Sequence, residues 1–105
     1  MLNLEKQSLE EDIKQMLLCI YRAANWKKIA KAHSRWDIFS HKIRAAADTE
    51  TMQEFFNQLC YSLGLQSCVE VPSSLIKRLD EQRSEVFHAL RYETTYYVCL
   101  IAEVN

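Results

Sequence analysis

Apolar residues recur every three or four positions through most of this chain, which is the period of an amphipathic α-helix. The first such stretch covers residues 9–23, after a short lead-in. Ser8 and Glu11 have the spacing of a capping box, so a helix is predicted to begin there. The positions predicted to face the core are Leu9, Ile13, Met16, Leu17 and Ile20.

The second stretch, residues 26–47, has the clearest division into an apolar and a polar side. At about 100° per residue its apolar side chains share one arc, which predicts a single unbroken helix capped by Asn25. Trp36 lies in the middle of the arc and is predicted to be a core residue, whereas Trp26 is predicted to be more open. The arc consists of Ile29, Ala32, Trp36, Phe39, Ile43 and Ala47.

The opposite side of this predicted helix carries charges of one sign. Asp37 is the only acid between Arg22 and Ala47, and it lies off the basic side. Arg22 and Arg44 flank that side. We call this predicted face the basic stripe, and it consists of Lys27, Lys28, Lys31, Arg35 and Lys42.

Two more helices are predicted in the second half of the chain. Thr51 and Glu54 form a capping box, and Gly64 fits a left-handed C-cap. From residue 73 the helical period continues almost to the end, interrupted at Arg83 and Thr94, and predicts one helix of nearly thirty residues. Residues 94–104 also suit a strand, but no second strand is evident to pair with them, so they are predicted to be helical.

The composition agrees with helices as the dominant structure. The chain has a single glycine and a single proline, too few for the frequent turns of a sandwich or barrel. About half of its residues are hydrophobic, enough for a core at this length. The sequence therefore predicts an all-α fold: one domain over residues 1–105, an irregular four-helix bundle with a long C-terminal helix.

The amino-terminal residues and the cysteines favour a cytoplasmic protein. Acids stand near the start where a signal peptide would be basic, and no apolar run is long enough to span a bilayer. The four cysteines have no C-x-x-C spacing, which favours free thiols. Cys19 and Cys99 lie in apolar runs and are predicted to be small core residues.

The basic stripe is the strongest indication of function. Lys and Arg side chains along one face bind the phosphates of nucleic acid, because each neutralised phosphate releases a counterion. RNA and single-stranded DNA both stay open as ligands. Two alternatives remain: the stripe is only a solvated face, or it binds an acidic protein surface in a protein-only adaptor or inhibitor. The residues predicted to bind nucleic acid are Lys27, Lys28, Lys31, Arg35, Lys42 and Arg44.

A second candidate surface lies near the end of the chain. Tyr and Arg are enriched where proteins meet proteins. Arg91, Tyr92 and Tyr96 are therefore predicted to contact other protein subunits, since these tyrosines and Tyr97 cannot all face one core. The alternative is that the tyrosines pack in the core with their hydroxyls at its rim.

Motifs for catalysis are missing from the sequence. There is no phosphate-binding loop motif, and one glycine cannot build such a loop. His33 and His41 are eight residues apart, which does not place two imidazoles on one metal, and His88 is isolated. The sequence predicts no enzyme, catalytic residue, metal, cofactor or small-molecule substrate. A small hydrolase using His33 or His41 is the third hypothesis.

The block NWKKIAKAHSRWDIFSHKIRAAADTETMQEFFNQLCYSLG resembles small helical subunits of CRISPR effector complexes. In those subunits a Trp-led basic helix precedes a short acidic turn and a second helix. The resemblance covers about forty residues of this chain. It implies a non-enzymatic scaffold in antiviral defence, which lines the backbone of the complex and contacts nucleic acid through the basic stripe.

Overall fold

The structure, a computed structural model, describes residues 4–31, 34–65 and 70–105, with side chains from residue 9 onward. Within these ranges the chain forms seven α-helices and no strand, so the all-α prediction is confirmed. The segment 94–104 is helical, as predicted. The helices are α1 (Leu4–Ala23), α2 (Trp26–Ile29), α3 (Arg35–Ala46), α4 (Met52–Ser62), α5 (Ser73–Glu81), α6 (Arg83–Tyr92) and α7 (Thr94–Val104).

The first helix begins earlier than predicted. α1 already includes Leu4, so Ser8 lies within the helix and the predicted capping box at Ser8 is wrong. Residues 4–7 are Leu, Glu, Lys and Gln, all good helix formers, which explains why the helix extends through them. The predicted core face of α1 is confirmed for Ile13, Met16, Leu17 and Ile20, which are fully buried, while Leu9 is partly buried.

The predicted helix over residues 26–47 is two helices. α2 ends at Ile29, Ala30 is extended with φ −151° and ψ 151°, and α3 begins at Arg35. The break has a packing reason: the rings of Trp26 and Trp36 each lie about 5 Å from the ring of Tyr21. In one straight helix these two residues would lie about 15 Å apart along the axis, too far to stack on the same tyrosine.

The predicted long C-terminal helix is also divided, into α5, α6 and α7. Gln82 and Glu93 form the two junctions, each with φ near −115° and ψ near 25°. The helices restart at Arg83 and Thr94, the two positions where the apolar pattern is interrupted. Thr94 is buried and its hydroxyl donates to the carbonyl of Leu90, which stabilises the second bend. These divisions account for seven helices where four were predicted.

Both predicted ends of α4 are confirmed. The Thr51 hydroxyl accepts from the backbone N–H of Glu54 at 3.1 Å, as an N-cap does. At the other end Gly64 has φ +73°, and the N–H of Leu65 donates to the Cys60 carbonyl at 3.0 Å. This is the Schellman arrangement, in which glycine adopts the left-handed conformation at little cost.

α3 occupies a central place in the packing. It contacts α4, α6 and α7, while α1 packs against α5 and α7. Phe39 and Ile43 of α3 and Phe55 and Leu59 of α4 are fully buried in one continuous core. No helix in the described ranges combines the length and the apolar character needed to cross a membrane. The position of α3 matters for function because it carries three of the cations predicted to bind nucleic acid.

An ion pair between Asp12 and Arg78 connects α1 to α5 at the edge of the core. This pair was not predicted from the sequence. Asp12 is buried and accepts two hydrogen bonds from the Arg78 guanidinium, from Nε at 3.1 Å and from Nη2 at 3.2 Å. This paired geometry is the preferred one between arginine and a carboxylate. The hydrogen bonds to Asp12 and the charge of that carboxylate raise the pKa of Arg78.

Candidate nucleic-acid interface

The basic stripe does not exist as one helical face, because the helix that was to carry it is divided. Lys27 and Lys28 lie on α2, Lys31 lies in the connection, and the remaining predicted cations lie on α3. Their common arc assumed a constant 100° step through residue 34. The extended conformation at Ala30 removes that relation, so the prediction of a continuous stripe is wrong.

Lys42 and Arg44 point to different neighbours and leave the predicted surface. They are two residues apart on α3, so they lie about 200° apart around its axis. The Lys42 ammonium donates to the carbonyl of Ser62, the last residue of α4, where the helix dipole favours a cation. The Arg44 guanidinium donates to the Thr95 hydroxyl on α7 at 2.8 Å. Both side chains therefore connect helices within the protein.

Arg35 is also partly used inside the fold. Its Nη1 donates to the hydroxyl of Tyr21 at 3.3 Å, which links the start of α3 to the end of α1. Its Nε is buried and has no hydrogen-bond partner among the described residues. The guanidinium is thus held beside the Tyr21 hydroxyl, and Arg35 remains partly accessible.

A smaller basic surface remains where α1 ends, α2 runs and α3 begins. No acid occurs from residue 22 to residue 36, and none of the ion pairs among the described residues involves these cations. All but Arg35 are exposed. Because no described carboxylate is paired with them, these side chains are available to an external anion. We call this surface the basic corner: Arg22, Lys27, Lys28, Lys31 and Arg35.

Beneath the basic corner lies an aromatic stack that the sequence analysis missed. The Tyr21 ring lies 5.0 Å from that of Trp26 and 4.7 Å from that of Trp36, and the latter pair is almost parallel at 9°. Phe39 packs edge-on against Tyr21 and Trp26. The signal was present in the sequence, since Tyr21 continues the four-residue spacing of Ile13 and Leu17 along α1.

The two tryptophans have exchanged the places predicted for them. Trp26 is 7% exposed, and its indole Nε1 donates to the Tyr21 carbonyl at 2.9 Å, so it is a core residue. Trp36 packs against the core but is only partly buried. The prediction that Trp36 is the core residue and Trp26 the open one is wrong, because it assumed that one unbroken helix contains both residues.

A groove of about 380 Å³ lies between α3 and α7, next to the basic corner. Trp36, Ser40 and Arg44 follow one another at four-residue spacing, so they lie along one side of α3. Cys99, predicted to be a core residue, is instead exposed and lines the groove. The groove therefore combines an indole, hydroxyls and a guanidinium; it is lined by Trp36, Asp37, Ser40, His41, Arg44, Thr95, Val98 and Cys99.

The histidines do not assemble a site in the described part of the chain. His41 is exposed on α3, and His88 is exposed on α6, where its ring lies 5.1 Å from that of Tyr92. His33 lies outside the described residues. Among the side chains that are described, no group of three from His, Cys, Asp and Glu is placed to hold a metal ion.

The residues predicted to form a protein interface divide into two kinds. Arg91 donates to the carbonyls of Ala47 at 3.0 Å and Thr49 at 3.2 Å, so it closes the end of α3. Tyr92 is 75% and Tyr96 48% exposed, whereas Tyr97 is buried. The Tyr96 hydroxyl donates to Glu10, and this hydrogen bond is the main reason why its pKa is raised. We call His88, Tyr92 and Tyr96 the tyrosine surface.

Comparisons with protein-family models, with curated proteins and with solved structures gave no match to this chain. The resemblance to small helical subunits of CRISPR effector complexes stays a prediction. The basic corner, the groove and the tyrosine surface are the three surfaces of the described chain that suggest a function.

Proposed function

We propose that this protein is a non-enzymatic helical subunit of a nucleoprotein assembly in the cytoplasm. Its basic corner binds the phosphates of RNA or single-stranded DNA, and its tyrosine surface contacts a neighbouring protein subunit. The observation that carries the proposal is the local charge. Five cations are grouped without a described ion pair, in a protein whose overall net charge is −1.

Three lysines dominate the proposed phosphate contacts. Lys27, Lys28 and Lys31 are exposed, and no hydrogen bond within the described part of the chain holds their ammonium groups. Long, mobile ammonium groups suit phosphates because they act as point charges without a required geometry. Arg35 adds a cation of fixed position, since Tyr21 holds its guanidinium. Lys42 and Arg44 are not part of this proposed contact.

The test compares two variants that change the net charge equally. One carries Lys27→Gln, Lys28→Gln and Lys31→Gln, and the control carries Lys14→Gln, Lys77→Gln and Arg83→Gln on α1, α5 and α6. Binding of oligo(U) and oligo(dT) is titrated at several salt concentrations. We expect the basic-corner variant to bind at least about tenfold more weakly. The slope of log K against log salt concentration should become less steep by about 2, because three phosphate contacts are lost. The control is expected to bind like the parent, and equal binding by the basic-corner variant would rule out this surface.

Among nucleoprotein assemblies, CRISPR effector complexes are the class favoured by the sequence resemblance. In such a complex the protein would occupy a scaffold position beside the nucleic acid. Affinity purification from the native host, with and without nuclease treatment, tests this proposal. Co-purification of other protein subunits together with RNA supports it, and purification of the protein alone contradicts it.

One observation favours a second candidate function, a protein-only adaptor or inhibitor. Nucleic-acid-binding domains are usually basic overall, whereas this chain has a sequence pI near 6.3. The basic corner would then meet an acidic protein surface. Retention of a protein partner after nuclease treatment, lost in the basic-corner variant, would favour this function over nucleic-acid binding.

A further inference from the structure

Trp36 lies at the boundary between the core and the groove. One part of its indole stacks on Tyr21 at 4.7 Å, and another part borders the groove between α3 and α7. Trp26, on the other side of Tyr21, is buried. The aromatic stack is therefore buried at Trp26 and accessible to solvent at Trp36.

The accessible ring is held in place before any ligand binds. Tyr21 lies nearly parallel to it, and the Tyr21 hydroxyl accepts a hydrogen bond from Arg35. Trp26 fixes the backbone of Tyr21 through its indole N–H. A ring positioned in this way loses little conformational freedom on binding, which favours its use as a stacking platform.

The surroundings of Trp36 suit one nucleotide. Arg35 and the lysines of the basic corner lie at the same end of α3, and they supply charge for phosphates. Within the groove, Ser40 and Thr95 offer hydroxyls, and Asp37 offers an acceptor for an N–H group of a base. Cationic side chains next to an accessible aromatic ring are a combination that binds single-stranded nucleic acid.

We propose that one unpaired nucleobase of the bound strand stacks on Trp36 in this groove while the neighbouring phosphates contact the basic corner. This inference rests on the proposed binding of nucleic acid and adds a preference for single strands. In a duplex the faces of the bases are covered by their neighbours, so a duplex cannot use the ring.

The experiment separates bases from phosphates. Trp36→Leu and Trp36→Phe are compared with the parent for binding to oligo(dT), to oligo(U) and to an abasic oligomer of the same length. Tyr61→Leu serves as the matched control, since Tyr61 is an exposed aromatic residue on α4, outside the groove, the basic corner and the tyrosine surface. We expect Trp36→Leu to weaken oligo(dT) or oligo(U) binding by roughly five- to a hundredfold, the usual contribution of one stacked base. Trp36→Phe retains most of the affinity.

The salt dependence and the abasic oligomer distinguish the possible failures. Unchanged salt dependence and unchanged abasic binding in Trp36→Leu support stacking. Equal binding of oligo(dT) and oligo(U) by Trp36→Leu and parent overturns the stacking inference, while a loss in the basic-corner variant leaves the proposed function intact. Absence of binding by the parent overturns both. Equal weakening of base-containing and abasic oligomers also overturns stacking, since it shows a general loss of structure.

A measurement on the unaltered protein guards against poor folding of the variants. Trp36 is the more accessible of the two tryptophans in the chain, so its fluorescence reports on the groove. We expect oligo(U) or oligo(dT) to quench the emission and the abasic oligomer to leave it unchanged. Equal quenching by all three would overturn the inference. The comparison of oligo(U) with oligo(dT) shows whether the strand is RNA or DNA.

Discussion

The basic corner and the tyrosine surface use aromatic residues and charges in opposite ways. In the basic corner the aromatic rings stack inward, with Trp26 buried, and the lysines remain exposed. At the tyrosine surface Tyr92 is exposed, and the arginine beside it is bonded to the backbone of the chain itself. A charged or aromatic residue in the sequence therefore does not by itself identify a binding residue.

Four arginines differ from the lysines of the basic corner in that they have hydrogen-bond partners within the protein. Arg35, Arg44 and Arg91 each donate a hydrogen bond within the protein, and Arg78 pairs with Asp12. A planar guanidinium forms several directed hydrogen bonds, which makes arginine the better side chain for joining helices. The lysines of the basic corner lack such contacts in the described part of the chain. They are therefore the stronger candidates for an external ligand.

The largest expected effect concerns the stack beneath the basic corner. Trp26→Ala is expected to lower the free energy of unfolding by about 3–5 kcal/mol, because it empties a buried aromatic position and removes the hydrogen bond to Tyr21. Trp36→Ala should cost less, about 1–2 kcal/mol, because that ring is only partly buried. Urea denaturation followed by circular dichroism measures both. A larger loss for Trp36→Ala would show that the two tryptophans are wrongly placed.

The next effect is expected in the other region. Arg91→Ala removes the hydrogen bonds to Ala47 and Thr49 and the contact of the guanidinium with the Phe87 ring at 5.3 Å. We expect a loss of about 1–2 kcal/mol in the free energy of unfolding. Tyr92→Ala, one residue away and exposed, should change it by less than about 0.5 kcal/mol. If the two variants are equally stable, the hydrogen bonds of Arg91 at the end of α3 do not stabilise the fold.

The sequence allowed the fold class to be predicted because helical periodicity and the scarcity of turn residues are local signals. The caps of α4 at Thr51 and Gly64 were also predictable, since each depends on one or two neighbouring residues. The break after Ile29 was not, because it depends on the contact of two tryptophans with Tyr21. Once that break was missed, the exposure of Trp26 and Trp36 was predicted the wrong way round.

The candidate site was predictable in composition and not in shape. The run of cations from residue 22 to residue 35 without an acid is visible in the sequence and corresponds to the basic corner. The hydrogen bonds of Lys42 to α4 and Arg44 to α7 join residues distant in sequence, so no periodic pattern shows them. The interruptions of the apolar pattern at Arg83 and Thr94, by contrast, coincide with the starts of α6 and α7. These two helix boundaries could therefore have been predicted from the sequence.

Stability is also expected to depend on pH in the alkaline range through Tyr97, the buried neighbour of Tyr96. Burial raises the pKa of Tyr97 well above its usual value of 10.0, with Glu10 and Glu93 adding to the effect. In the unfolded chain Tyr97 ionises near 10.0, so the unfolded state loses its proton first and stability falls as the pH rises above that value. Tyr97→Phe should show a smaller loss of stability between pH 9 and pH 11 in thermal unfolding. An identical pH dependence in parent and variant would contradict the burial of Tyr97.

The smallest expected effect concerns the stability of the basic-corner variant. Lysines that only serve an external ligand should contribute nothing to the fold. The variant with Lys27→Gln, Lys28→Gln and Lys31→Gln is therefore expected to unfold within about 0.5 kcal/mol of the parent. At low salt it should be slightly more stable, because it relieves repulsion between cations that lie within a Debye length of one another, about 30 Å at 0.01 M. The difference should disappear at high salt.

Lys77→Gln on α5, an exposed lysine outside the basic corner, is the control and should show no such dependence on salt. Chemical denaturation with urea, which adds no ions, measures this at each salt concentration. A clear destabilisation of the triple variant would mean that these lysines hold α2 in place, and weaker binding by that variant would then no longer identify a ligand contact.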